Sequence, residues 1–181
     1  MGFIYRESRE LLDPYCIRAL FFALVRSVLE YACPVWSPFY LIDRARLESV
    51  QRRFLRFALR NLPWSDPLIL PRYEHRLALL NMPTLERHRE FIGLSFICNL
   101  LKYKIDCTGI LNRLQFKLNN RHLRSVQFFH LGCYHTNYGR FNPLDVLLML
   151  YNSCSGFLLD NNVNNATFKL KFYSQCMTRI T

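Results

Sequence analysis

Asp43 to Arg60 reads DRARLESVQRRFLRFALR, and its periodicity decides the fold class. On a helical wheel Leu47, Val50, Phe54, Phe57 and Ala58 fall on one side, while Arg52, Arg53, Arg56 and Arg60 fall on the other. The segment carries six Arg against Asp43 and Glu48, so one face is suited to burial and the other to water. This predicts an amphipathic helix. Guanidinium groups spaced i, i+1, i+4 and i+8 are in position to track phosphates along a groove while the apolar face anchors the helix. The same pattern also fits an ordinary solvated exterior face.

Upstream, Asp13-Pro14 marks a helix start, with an acceptor side chain at the N-cap and proline in the first turn, and no breaker follows until Cys33-Pro34. A helix of about five turns is predicted. Ile17, Leu20, Phe21, Leu24, Val28 and Tyr31 recur at intervals of three and four, and Phe22, Val25 and Leu29 widen the stripe. Such a helix is expected in the middle of a core. Between the two helices, Pro34-Val35-Trp36-Ser37-Pro38 reads as a rigid turn whose Trp36 closes the helix pair.

Downstream, Pro63, Pro67 and Pro71 punctuate a loop, and Tyr73 to Leu80 reads as a short helix ended before Pro83. Thr84 caps a longer helix, Leu85 to Tyr103, with Leu85, Phe91, Leu94, Ile97, Cys98 and Leu101 on its buried face. From Arg113 to Arg140 helical periodicity is weak, and an extended basic loop is expected. There Arg113, Lys117, Arg121 and Arg124 interleave with Phe116, Phe128, Phe129, Tyr134 and Tyr138. Single-strand binders use such a mixture to join phosphate pairing to base stacking, and an aromatic loop packed on a bundle has the same composition. Asn142-Pro143 then starts a helix from Leu144 to Phe157, and Asn164/Asn165 cap a last one from Phe168 to Met177. The expected fold is all-α: a helical bundle over 1–104, a basic aromatic-rich connector over 105–140, and a C-terminal helical pair over 141–181.

The chain has 181 residues, 51% of them hydrophobic, enough for a substantial core. Lys+Arg outnumber Asp+Glu by 24 to 13, and the net charge of +11 favours a polyanion or an anionic membrane surface as partner. Aromatics at 15% with only 6 Gly belong to a packed domain rather than a disordered basic tail. Cys16, Cys33, Cys98, Cys107, Cys133, Cys154 and Cys176 form no CxxC pair, so neither a disulfide framework nor a zinc knuckle is indicated and a reducing compartment, nuclear or cytoplasmic, is expected. Met1 to Asp13 is charged rather than a secretory leader, and secretion is not expected. Ala19 to Val25, between Arg18 and Arg26, falls far short of the roughly 20 apolar residues of a membrane span.

His130, Cys133 and His135, with Cys154 at a distance, match no zinc spacing, and no metal or other cofactor is assigned. His75 beside Glu74, and His88 near Glu86 and Glu90, read as helix-surface charges rather than acid/base pairs. Cys98 and Cys107 have no evident base. No nucleophile, base and stabiliser converge, so no catalytic residue and no small-molecule substrate are assigned.

Two segments, VRSVLEYACPVWSP from Val25 to Pro38 and RLESVQRRFLRF from Arg46 to Phe57, resemble in order and spacing the region downstream of the polymerase in non-LTR, LINE-type retrotransposon reverse transcriptases of the jockey-like group. Gly2-Phe3-Ile4 with Arg6 is similar to the family's lead-in. Tyr73-Glu74-His75-Arg76-Leu77 and then Leu80-Asn81-Met82-Pro83-Thr84-Leu85-Glu86-Arg87 resemble its next block, which here ends Arg87-His88-Arg89 where the family has a paired Arg. Beyond Arg140 the likeness is looser, through Asn142-Pro143-Leu144, Tyr151-Asn152 and Phe168-Lys169.

The resemblance implies a C-terminal fragment of an RNA-directed DNA polymerase that copies its own RNA at a nicked chromosomal target. It implies RNA or DNA and the parent's polymerase domain as partners. It does not bring the chemistry with it: polymerisation needs metal ions held by palm carboxylates, usually an Asp-Asp turn in this class, and the sequence has no adjacent Asp pair. The expected function is therefore non-catalytic. Arg52, Arg53, Arg56, Arg60, Arg113, Lys117, Arg121 and Arg124 are the candidate nucleic-acid contacts. The alternatives are a protein-interaction or scaffold module and an inert transposon relic.

Overall fold

A computed structural model describes residues 2–8, 13–60, 71–117, 127–158 and 172. Among them the chain is mostly helical and has no β-strand, as an all-α fold requires; the one ladder contact is an isolated antiparallel bridge between Phe116 and Phe129. No helix of the described residues is long and apolar enough to cross a membrane. The chain divides into two compact units, 1–33 with 38–89, and 34–37 with 90–181.

In the first unit, α1 (Gly2–Glu7) is followed by α2 (Pro14–Phe21), a π-helical turn (Phe22–Arg26) and α3 (Ser27–Glu30). The Asp13 side chain accepts the Tyr15 N–H and Pro14 occupies the first turn, as the N-cap reading requires. Next come α4 (Leu41–Ala58), α5 (Tyr73–Leu79) and the start of α6 (Leu85–Leu101). Their core joins Ile4, Ile17, Phe21, Phe54, Leu55 and Leu77 among others, with the Phe21 and Phe54 rings stacked 4.0 Å apart. Each such side chain removed from water contributes about 1.5–3 kcal/mol.

The π-helical turn corrects one expectation. Its Ser27 N–H reaches back to the Phe22 carbonyl, five residues away, which inserts one residue and turns everything after it by about 100°. The inward face therefore runs Ile17, Phe21, Arg26, Cys33, while Leu24, Val28 and Tyr31 face water, Val28 at 70% exposure. The helix is half-immersed rather than central. Trp36, expected to close the helix pair, keeps 41% of its surface exposed.

Buried Arg26 is compensated by Glu30 one turn on, Nε to Oε1 2.8 Å, and its guanidinium lies 4.8 Å from the Phe22 ring centroid. Asn81 closes α5 in the left-handed region at φ 48°, and Met82 N–H bonds the Leu77 carbonyl at 2.9 Å, a Schellman-type stop. Thr84 Oγ1 accepts the Arg87 N–H at 3.3 Å and starts α6 where the sequence predicts.

In the second unit, the rest of α6 packs with α9 (Pro143–Leu158) around Leu94, Ile97, Leu100, Leu148 and Tyr151. Gly93 allows the close approach, since a methyl group there would run into Leu147 Cδ2. Asn142 Oδ1 caps α9 by accepting the Leu144 N–H at 3.3 Å. Between them lie α7 (Thr108–Leu111) and α8 (Asn137–Arg140).

The described parts of the expected basic loop are largely non-helical and are pinned down on both sides of the Phe116–Phe129 bridge. Lys117 N–H bonds the Phe128 carbonyl and His130 N–H the Gln115 carbonyl, both at 2.8 Å. The Asn152 side chain on α9 accepts both the Phe128 and Phe129 N–H groups at 3.0 Å and donates to the Phe129 carbonyl at 2.9 Å. Phe129 is buried in the core against Tyr151, ring centroids 5.2 Å apart. The helix expected over Phe168 to Met177 lies outside the described residues except for Phe172, which packs against Phe91.

Candidate nucleic-acid interface on helix α4

Helix α4 is locked in place by its polar residues as well as its apolar ones. The Glu48 carboxylate accepts the Tyr73 hydroxyl in a short hydrogen bond and the Leu85 N–H at 3.2 Å, holding α5 and the start of α6 against α4. Gln51, fully buried, donates from Nε2 to the Pro83 carbonyl at 2.9 Å. Burial first, and then the Glu48 carboxylate, push the Tyr73 phenol well above its ordinary value, so it is a neutral donor to Glu48 at physiological pH. A charge-assisted bond of this kind contributes about 1.5–3 kcal/mol.

With Phe54, Leu55 and Ala58 turned inward, Arg52, Arg53, Arg56 and Arg60 are all exposed, as the wheel predicts. They are partly ordered by the rings beside them. The Arg52 guanidinium carbon lies 4.9 Å from the Tyr73 ring centroid and that of Arg60 4.1 Å from Phe57. Arg60 also reaches the Ser8 carbonyl at 3.5 Å. By contrast Arg44 and Arg46, nearer the helix start, pair with Glu86 and Asp43. The second half of α4 and the turn after it thus carry a row of exposed guanidinium groups on a clamped backbone, a geometry suited to phosphates.

The basic residues of the connector are less gathered. Arg113 and Lys117 are exposed and belong to the second unit, where Lys117 Nζ is hydrogen-bonded to Gln127 at 2.9 Å. Arg121 and Arg124 lie outside the described residues. Of the aromatic side chains expected to stack on bases, Phe129 is buried, so its ring is not offered to a base, and Phe128 is half-buried. Tyr134 rests against Gly132 and Gly139. Phe116, Tyr134 and Tyr138 are exposed.

One basic residue escaped the sequence reading. Arg76 on α5 is only 6% exposed, and its Nε and Nη1 are sealed from solvent without a hydrogen-bond partner. A sequence signal existed: positions 72, 73, 79 and 80, its helical neighbours, are Arg, Tyr, Leu and Leu, with no carboxylate to pair it.

Among the described residues no three His, Cys, Asp or Glu side chains come together in a way that could hold a metal ion. Burial pushes the thiols of Cys33 and Cys98 up to about 11, so both stay protonated and weakly nucleophilic at neutral pH. Neither a protein-family model, nor a curated protein, nor a solved structure matches this chain.

Proposed function

We propose that the chain is a non-catalytic C-terminal fragment of a LINE-type retrotransposon RNA-directed DNA polymerase that assists RNA or target-DNA binding and packs on the polymerase domain. The family assignment rests on the motifs of Val25–Pro38 and Arg46–Phe57. The observation that carries the binding role is the exposed row Arg52, Arg53 and Arg56 on α4, continued by Arg60 in the turn that follows it. Within the second motif, Glu48 and Gln51 hold the helix and Phe54 and Leu55 bury it, which leaves its arginines without a structural task of equal weight. Arg113 and Lys117, with Arg121 and Arg124, extend the same charge along the chain.

The test is retention of RNA and of DNA by the full chain, shown to be folded by circular dichroism, across a salt series. Retention that weakens steeply with salt is expected. A folded chain with no salt-sensitive affinity for RNA, DNA or the polymerase domain contradicts the reading.

A second reading, a docking module for the polymerase, is favoured by the exposed Leu24, Val28 and Tyr31. Its mark would be poor solubility of the chain by itself, cured by co-expression with a polymerase domain.

A further inference from the structure

We propose that Arg76, together with Arg52 and Arg56, forms a phosphate-binding site between α4 and α5, filled by a backbone phosphate of the bound nucleic acid. It rests on the reading of α4 given above and adds to it a specific inner residue. Arg52 and Arg76 lie against one ring, their guanidinium carbons 4.9 and 5.9 Å from the Tyr73 centroid. Arg56 stands one turn beyond Arg52 on the same exposed face. Arg76 is buried, and neither Nε nor Nη1 finds a partner among the described residues.

A buried arginine with two exposed arginines as its charged neighbours on α4 is the reverse of what stability alone would select, because a buried charge needs a counter-charge. The nearby acids do not supply it. Glu48 is engaged by the Tyr73 hydroxyl and the Leu85 N–H, and Glu74 is exposed and makes no salt bridge to Arg76 among the described residues. Burial first, then the Arg56 charge, hold the Arg76 guanidinium below its ordinary value, so the folded chain bears this cation at a cost.

An oxyanion with tetrahedral oxygens answers the arrangement. It can accept from the fork of one arginine and from single N–H groups of two more. In the proposed site the exposed pair Arg52 and Arg56 forms the outer part and Arg76 the inner part.

The test is thermal unfolding of the full chain titrated with inorganic phosphate, against sodium chloride at matched ionic strength. The wild-type melting temperature should rise saturably with phosphate. Arg76→Met, relieved of the buried cation, should melt at the same temperature or higher in phosphate-free buffer and show no phosphate response. Arg76→Lys, which keeps the charge and loses the fork, should need about tenfold more phosphate. No saturable rise in the wild type, or an equal rise in Arg76→Met, overturns the site. Should Arg76→Met fail to fold, a wild-type midpoint in Arg76→Lys overturns it and a raised midpoint supports it.

Oligonucleotide retention separates this proposal from the reading it rests on. If reversing the α4 arginines abolishes retention while Arg76→Met leaves affinity and salt dependence intact, α4 stands and the Arg76 site falls. A phosphate response that depends on Arg76, without any oligonucleotide retention, supports the site and contradicts the nucleic-acid reading.

Discussion

Glu30 Oε1 lies 2.8 Å from both Arg26 Nε and His88 Nδ1. Burial alone would raise its carboxyl; the His88 contact and the Arg26 charge outweigh that and hold it below the ordinary 4.5. A depressed folded value means that Glu30 contributes its stability above pH 4.5 and loses it progressively as pH falls from there through the lower value of the folded chain. Glu30→Gln should therefore cost about 1–2 kcal/mol near neutrality, because the buried Arg26 guanidinium loses its counter-charge and keeps only a neutral acceptor and the Phe22 ring. The gap in urea stability from wild type should narrow steadily below pH 4.5, and a gap independent of pH would show that the ion pair is not its source. At Tyr103 the sign is opposite. This exposed residue holds φ 53°, a conformation costing a side chain about 1–2 kcal/mol, so Tyr103→Gly should gain roughly 0.5–1 kcal/mol in denaturant titration after the glycine's own entropy is counted. Asn81 has the same geometry but a residue type that favours it, and so its turn was legible; a tyrosine gave no such sign.

At the scale of elements, the helix starts were legible because their signals are local. Asp13-Pro14, Thr84 and Asn142-Pro143 each cap the helix they announce. The inward face of the first long helix was not, since Phe22, Leu24, Val25 and Leu29 make it apolar all round and leave its phase open to the inserted residue of the π-helical turn. Two substitutions test that phase in chemical denaturation. Phe21→Ala should cost about 3–5 kcal/mol and Val28→Ser no more than about 0.5 kcal/mol, whereas a comparable loss at Val28 would restore an uninterrupted α-helical register. In the connector between α7 and α9 the weak helical periodicity shows a loop but not what it packs on. Its order comes from Asn152, more than twenty residues further along, whose amide grips the backbone at Phe128 and Phe129. No pattern within the connector could announce that.

For the molecule as a whole, a net charge of +11 sets a field that draws polyanions, but charge alone does not choose a surface. The surface we propose lies on the second half of α4 and the turn after it, where the wheel already sets Arg52, Arg53, Arg56 and Arg60 opposite Phe54 and Ala58. Arg76 shows in the sequence only as an arginine with no carboxylate one turn away, and its burial beside α4 comes from the fold. Binding by such a row works through counterion release, so the number of phosphates engaged appears as the slope of log affinity against log salt. The direct measurement is that slope for the full chain and for a folded variant carrying Arg52→Glu, Arg53→Glu, Arg56→Glu and Arg60→Glu. With each neutralised phosphate contributing about 0.7–0.9, the variant's slope should be shallower by roughly three and its affinity for RNA and DNA much reduced. An unchanged affinity and slope in the reversed chain would contradict the role assigned to α4.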